Sequence, residues 1–151
     1  MVRRTSPPLH DSASEASELQ RVLLVEDELD IQTVARMALE DLGGLDVEVC
    51  ASGEDALVRG PAFRPQLVLL DYMMPGMNGR HTLEAFAAVP ALAEVPIVFL
   101  TARAQLDEVA EYHRLGAIDV IIKPFDPMSL ADEVQAVWTR YRAGSTVGSD
   151  A

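Results

Sequence analysis

Residues 67–79 read LVLLDYMMPGMNG, and the prediction of the fold begins with this stretch. Its four leading apolar residues form a short continuous run, which is typical of a strand buried on both faces in a parallel sheet. Asp71 directly follows that run, so it is expected at the carboxyl end of the strand, where open α/β sheets place their ligand sites. Asp and Pro-Gly also close strands simply as turns, and this stretch alone leaves both interpretations open.

Further apolar segments predict the rest of the sheet. Together with Leu67–Leu70 they are Val22–Val25, Val47–Cys50, Val95–Leu100 and Val120–Ile122. Helical patterns separate these segments, which predicts an α/β fold of five βα units around a doubly wound parallel sheet. Of the two common strand orders, five strands suit 2-1-3-4-5. The second segment alternates between apolar and polar residues, as expected of an edge strand.

The helices are predicted from apolar residues at helical spacing and from capping residues. The first has Ile31, Val34, Ala35, Ala38 and Leu42 on one face; the second is capped by Ser52 and ends by Gly60-Pro61; the third covers 80–89; the fourth covers 105–115 with Leu106, Val109 and Ala110 inward; the last has Asp126 as N-cap and Pro127 at its first position. His113 is expected to be half-buried, and Trp138 to lie in the core or at an interface.

The composition indicates one domain with a short segment at each end. Residues 1–20 predict a disordered arm, residues 21–142 the folded domain and residues 143–151 a flexible tail. The net charge of −12 argues against binding to nucleic acid or to an anionic membrane surface, because both are negatively charged. No apolar run approaches the roughly 18 residues of a membrane span. No secretory signal is recognisable either, so a cytoplasmic protein is expected.

Polar side chains follow four of the five predicted strands. They are Glu26 and Asp27 after the first strand, Asp71 after the third, Thr101 after the fourth and Lys123 after the fifth. Because the carboxyl ends of parallel strands share one edge of a sheet, we expect these side chains within reach of one another. Three carboxylates in one place repel each other unless a cation lies among them, and a few oxygen ligands suit Mg²⁺. A neighbouring hydroxyl and ammonium group would hydrogen-bond a phosphoryl group.

Lys123 is the only lysine among twelve basic residues. Its ammonium group is a compact point charge, whereas the guanidinium group that the chain uses elsewhere is a planar fork. The alternative is chance, since lysine readily occupies strand edges. The coincidence of polar residues after four strands favours a functional site.

The chain resembles a receiver domain of two-component signalling, the response-regulator family related to CheY. The resemblance covers about residues 21–142. It rests on four motifs in matching order and spacing, which are VEDE at 25–28, DYMMPGMNG at 71–79, LTA at 100–102 and KPF at 123–125. The Asp-x-x-Met-Pro-x-x-x-Gly run, followed at this distance by Thr-Ala and Lys-Pro-Phe, is highly specific.

The resemblance implies a role for each residue of the predicted site. Asp71 is the phosphoacceptor, and Thr101 and Lys123 hold the phosphoryl oxygens. The implied ligands of Mg²⁺ are Asp71, Asp27 directly, Glu26 mainly through water, and Met73 through its backbone carbonyl.

The resemblance also implies the partners. A histidine kinase or a histidine phosphotransfer protein donates the phosphoryl group, and later hydrolysis of the acyl phosphate resets the switch. In this family phosphorylation shifts Thr101 and the loop after the fourth strand, which alters the face made by the fourth helix, fifth strand and last helix. A stand-alone receiver is expected, as a monomer or weak homodimer, with this face binding an unknown downstream protein.

Three positions depart from the family or bear on its kinetics. Val120 stands where the family usually has Tyr or Phe, a ring that swings inward on activation. The space for that ring is expected to be smaller, filled by Phe99 or His113, or left open, and the coupling to be weak. Met73 and Arg103 occupy positions that tune hydrolysis, and neither is suited to orienting water. That favours a long-lived phosphoryl group.

Two other functions remain open at this point. The first is a Mg²⁺-dependent phosphohydrolase with Asp71 as nucleophile, but the haloacid-dehalogenase pattern would place a second Asp where Met73 stands. The second is a receiver-like binding module that works without phosphorylation. The intact Asp71, Thr101 and Lys123 argue against this module, whereas Val120 leaves it possible.

Overall fold

The structure is a computed structural model that describes residues 18–150, and a five-stranded parallel sheet forms its centre. The strands are β1 Arg21–Val25, β2 Asp46–Cys50, β3 Leu67–Asp71, β4 Ile97–Thr101 and β5 Asp119–Ile122. Their order across the sheet is β2-β1-β3-β4-β5, and every neighbouring pair is parallel. The predicted α/β class, parallel sheet and strand order are therefore confirmed, and β2 lies at an edge.

Within the described residues, five helices connect the strands and follow the last of them. They are α1 Leu29–Met37, which a π-helical segment Ala38–Leu42 continues, α2 Gly53–Phe63, α3 Gly79–Phe86, α4 Leu106–Leu115 and α5 Leu130–Asp150. In that part of the chain, none of them is both long and apolar enough to cross a membrane.

Successive strand residues point to opposite faces of the sheet, so the core has two layers. Leu24 of β1 packs on the side of α1 and α5, where Trp138 is also buried. Its neighbour Leu23 packs on the side of α2, α3 and α4. All residues of β3 and β4 are buried. The continuous apolar runs of these strands follow from this burial on both faces.

The ends of three predicted segments differ from the structure. Leu19 is buried in the core, so the ordered domain begins before residue 21, while residues 1–17 of the predicted arm lie outside the described residues. α2 continues through Pro61 to Phe63, because a proline this close to the helix end disturbs only its last turn and Phe63 packs on the core. The last helix runs beyond residue 142, where the tail was predicted to begin, to Asp150.

The start of α5 also differs, because Asp126 caps a turn instead of the helix itself. Its carboxylate accepts a hydrogen bond from the Met128 N–H at 2.9 Å, and its carbonyl accepts one from Ser129 N–H at 3.0 Å. The α-helix begins only at Leu130.

For two helices, the prediction of the residues that face the core was partly wrong. In α4, Leu106 is 91% exposed, and Ala110 and His113 are exposed as well. Tyr112 is buried on this helix instead, with only 4% exposed. In the α1 region, Val34 and Leu42 are exposed, whereas Ala35, Ala38 and Leu39 are buried. The π-helical segment changes the angular spacing after Met37, which explains why Leu42 faces away from the core.

Candidate functional site

The five polar residues that follow the strands meet at one edge of the sheet. Backbone hydrogen bonds extend the sheet register beyond the strands, from Glu26 N–H to the Cys50 carbonyl at 3.0 Å and from Lys123 N–H to the Thr101 carbonyl at 2.8 Å. A cleft of about 340 Å³ opens at this edge. It is lined by Asp27, Glu28, Asp71, Met73, Thr101, Ala102 and Lys123. The predicted convergence of these side chains is present in the structure.

The loop after β3 folds back tightly onto the end of the strand. Gly79 N–H donates a hydrogen bond to the Tyr72 carbonyl at 2.9 Å, and a Cβ at Gly79 would lie only 2.6 Å from Tyr72 Cα. Asn78 accepts a hydrogen bond from the His81 N–H through its side chain and so caps α3. A glycine at position 79 therefore allows the loop to pack this closely against the end of β3.

Three carboxylates form an acidic cluster in the cleft. Oxygen atoms of Glu26, Asp27 and Asp71 lie within 4.8 Å of one another. Glu26 is fully buried, Asp71 is 2% exposed and Asp27 is half-buried. The Lys123 Nζ lies 3.0 Å from Glu26 Oε1 and 3.4 Å from Asp71 Oδ2. One ammonium group is thus shared between two buried carboxylates, and a negative excess remains.

Burial and the nearby Glu26 raise the pKa of Asp71 to about 7, although the Lys123 ammonium and the Met73 N–H oppose this change. That N–H donates to Asp71 Oδ1 at 3.1 Å. Burial lowers the pKa of Lys123, but its hydrogen bond to Glu26 and the charges of Asp71 and Glu26 outweigh this effect and raise it. Lys123 is therefore a cation at neutral pH, whereas the pKa of the Asp71 carboxyl lies near neutral pH.

The Thr101 hydroxyl faces the loop between β4 and α4 and the helix itself. Its oxygen accepts a hydrogen bond from Arg103 N–H at 3.0 Å. It also lies 3.3 Å from the Arg103 carbonyl oxygen and 3.3 Å from the Tyr112 hydroxyl. The Tyr112 hydroxyl donates a hydrogen bond to the same carbonyl at 2.9 Å. Thr101 thus lines the cleft while its hydroxyl engages α4.

Tyr112 was not among the predicted site residues. Its ring contacts Tyr72 and Phe99, with centroid distances of 4.9 Å and 5.4 Å, and Val120 packs half-buried against the same core layer. The space beside the threonine therefore holds Tyr112 together with Phe99, whereas His113 is exposed. Tyr112 could have been found from its spacing of three with Val109 and Leu115, both partly buried.

Comparison with known proteins identifies relatives of the whole domain. The family model described as the response regulator receiver domain matches residues 22–135. The DNA-binding response regulator MtrA of Mycobacterium tuberculosis (strain ATCC 25618 / H37Rv) is 38% identical over 117 residues, which are 78% of this chain and 50% of that protein. The phosphate regulon transcriptional regulatory protein PhoB of Rhizobium meliloti is 32% identical over 122 residues, 81% of this chain and 53% of that protein. The chain spans about half the length of these curated relatives.

Solved structures show the same fold. The chemotaxis protein CheY4 of Vibrio cholerae superposes with a TM-score of 0.73 at 29% identity, covering 80% of this chain and 99% of that one. The signal receiver domain of a signal transduction histidine kinase from Syntrophus aciditrophicus gives a TM-score of 0.67 at 28% identity, covering 80% and 90%. With the receiver-domain model matching most of its length, the chain belongs to the response regulator receiver domain family.

Proposed function

We propose that this chain is a response regulator that accepts a phosphoryl group on Asp71 from a histidine kinase or a histidine phosphotransfer protein. The observation that carries the proposal is the convergence of Glu26, Asp27 and Asp71 with the only lysine of the chain at one edge of the sheet. Such a group of charges at the carboxyl ends of parallel strands suits a phosphoryl group and a divalent cation.

The donor set of the cleft fits Mg²⁺. Three carboxylates and one ammonium group leave two negative charges when all are ionised, which equals the charge of one Mg²⁺ in magnitude. Glu26 already accepts hydrogen bonds from Lys123 and from Glu28 N–H at 3.1 Å, so Asp27 and Asp71 would be the direct ligands and Glu26 would act through water. The Met73 carbonyl would complete the protein ligands. When bound, the metal neutralises the charge that a phosphoryl donor brings to the carboxylates.

The protein groups then act by position and charge. An Asp71 oxygen forms a bond to phosphorus while the bond from phosphorus to the donor histidine nitrogen breaks, and that nitrogen keeps the electron pair. Lys123 Nζ, 3.4 Å from Asp71 Oδ2, stabilises the phosphoryl oxygens, and the Thr101 hydroxyl donates a hydrogen bond to one of them. Asp71 must be ionised to attack, and a bound Mg²⁺ would favour that form against the burial and the Glu26 charge that raise the pKa of its carboxyl.

The output is proposed to be a protein contact in the cytoplasm through the face of α4, β5 and α5. Leu106 on α4 is 91% exposed, and Ile122 at the end of β5 is 55% exposed. Exposed apolar side chains on neighbouring elements are typical of a surface that binds another protein.

Intact-mass spectrometry after incubation with acetyl phosphate tests the proposal. We expect one phosphoryl adduct in the presence of Mg²⁺ and none after chelation. Asp71→Asn should abolish the adduct, whereas Asp46→Asn, the same change at an exposed aspartate where β2 begins, should keep it. An adduct that persists in Asp71→Asn would contradict the assignment of the acceptor.

Adduct formation, measured together with partner binding and phosphate release, separates the two alternatives. A binding module that works without phosphorylation would form no adduct and would bind its partner equally well with and without acetyl phosphate. A phosphohydrolase would instead release phosphate from small phosphoesters through many turnovers. We expect a single adduct without turnover, because the cleft has Met73 where a hydrolase of this type would need a second acid.

A further inference from the structure

The hydroxyl groups of Thr101 and Tyr112 both lie near the Arg103 carbonyl, and Thr101 can donate its single hydroxyl hydrogen to only one acceptor at a time. Tyr112 donates its hydroxyl hydrogen to the Arg103 carbonyl at 2.9 Å. Thr101 has one hydroxyl hydrogen, and the acceptors near it are that carbonyl and the Tyr112 oxygen, each at 3.3 Å. Both acceptors belong to the segment from the loop after β4 to α4, so the hydroxyl hydrogen is held by that segment.

A phosphoryl group on Asp71 would claim the same hydrogen. Thr101 is the last residue of β4, it lines the cleft together with Asp71, and it is 1% exposed. Because a buried hydroxyl donates only one hydrogen bond, Thr101 must give up the Arg103 and Tyr112 acceptors in order to bind a phosphoryl oxygen. Tyr112 then keeps the Arg103 carbonyl and loses its contact with Thr101.

We propose that Tyr112 is a positioning residue whose hydroxyl competes with the phosphoryl group for the single hydroxyl hydrogen of Thr101, and thereby couples the site to α4. This inference rests on the proposed function of Asp71. It assigns the aromatic part of the switch to a helix, whereas Val120 on β5 offers no hydroxyl and only a small, stiff side chain.

The surroundings of Tyr112 allow this coupling to reach the surface. The ring is buried against Tyr72 and Phe99, yet a cleft of about 250 Å³ lies beside it, lined in part by Met73, Glu108 and Glu111. A ring released by Thr101 therefore has space next to it. Because Tyr112 is part of α4, its movement shifts the helix that carries the exposed Leu106.

Calorimetric titration with beryllofluoride and Mg²⁺, as an analogue of the aspartyl phosphate, tests the competition. Tyr112→Phe keeps the ring and removes one of the two acceptors that compete for the Thr101 hydrogen, so we expect it to bind beryllofluoride roughly two- to tenfold more tightly, the effect of one hydrogen bond. Tyr72→Phe is the matched control: it removes a hydroxyl from the same ring cluster and should leave the affinity unchanged. An unchanged affinity in Tyr112→Phe would overturn the inference.

A second set of variants separates competition from a purely structural effect. The gain from Tyr112→Phe should persist in a Thr101→Ser background, which keeps the hydroxyl, and disappear in Thr101→Val. An equal gain in both backgrounds would show that only packing had changed. If the wild type binds no beryllofluoride and forms no adduct with acetyl phosphate, the proposed function fails and this inference with it.

Fluorine NMR of protein labelled with fluorotyrosine gives a direct readout in the wild type. The Tyr112 resonance, assigned by its loss in Tyr112→Phe, should shift when beryllofluoride saturates the site, and the Tyr141 resonance on α5 should stay in place. A Tyr112 resonance that does not move at saturation would overturn the inference even when the binding of beryllofluoride is normal.

Discussion

The two halves of the cleft are built from different interactions. The charged half consists of Glu26, Asp71 and Lys123, where one ammonium group lies within 3.4 Å of two buried carboxylates. The hydroxyl half consists of Thr101 and Tyr112 around the Arg103 backbone, joined by neutral hydrogen bonds of 2.9–3.3 Å. The charged half must therefore respond to pH and to cations, whereas the hydroxyl half responds only to a competing acceptor.

The largest effect is expected from removing the cation of the charged half. In Lys123→Met without Mg²⁺, Glu26 and Asp71 remain buried without their partner, and we expect a loss of about 3 kcal/mol in the free energy of unfolding near pH 8. Urea denaturation measures it. Arg140→Met breaks an exposed ion pair with Asp119 and should cost under about 1 kcal/mol. Equal losses in the two variants would show that the buried pair is not special.

Binding of Mg²⁺ is expected to distinguish the two acids that follow β1. Asp27→Asn should weaken the affinity by about 100-fold and Glu26→Gln by about tenfold, because the loss of an outer partner of a metal typically costs 10–100-fold and Asp27 is the proposed direct ligand. Calorimetry measures both affinities. Equal losses would contradict the division between direct and water-mediated ligands that we propose.

The topology explains why the charged half could be predicted from the sequence. Each of its residues directly follows or ends an apolar run, and the carboxyl ends of parallel strands share one edge whatever the details of packing. Predicting that Asp71 and Lys123 lie at this edge required no information on side-chain orientation. The sequence could not establish that Lys123 contacts both Glu26 and Asp71, since such contacts depend on the exact positions of the side-chain atoms.

The hydroxyl half was only partly predicted, and the reason lies in α4. This helix has ten residues and an acidic first turn with Asp107 and Glu108, so its few apolar residues fit two different inward faces. The face with Leu106 was predicted to be buried, but in the structure the face with Tyr112 is buried. The rotation of a short helix is decided by packing on Tyr72 and Phe99, which lie far away in sequence.

The stability of the protein without Mg²⁺ should fall as the pH rises through the titration of Asp71. Its pKa is raised to about 7 in the folded state from 3.8, so the folded state holds a proton that the unfolded state has lost. The stabilising contribution is full below about pH 4 and lost by about pH 7, and we expect a loss on the order of 1–3 kcal/mol relative to Asp71→Asn.

Denaturant titrations of both proteins across this range measure the difference between them. Saturating Mg²⁺ should remove the pH dependence, since the cation favours the ionised carboxylate. A difference that stays constant from pH 4 to pH 8 would contradict the raised pKa of Asp71.

The smallest effect is expected in the hydroxyl half. Thr101→Val keeps the shape of the side chain but leaves Arg103 N–H without its acceptor, which should cost about 1 kcal/mol in the free energy of unfolding. Because hydroxyl groups carry no charge near neutral pH, this cost should be the same at about pH 5 and about pH 8, unlike that of Lys123→Met.

Thr82→Val is the matched control, since Thr82 is also buried and donates to the Asn78 carbonyl at 2.8 Å in α3. It should lose a similar amount of stability but keep the wild-type affinity for beryllofluoride, whereas Thr101→Val should bind it more weakly. A cost of Thr101→Val that grows with pH would mean that the hydroxyl half is linked to the titration of Asp71, and the separation between the two halves would not hold.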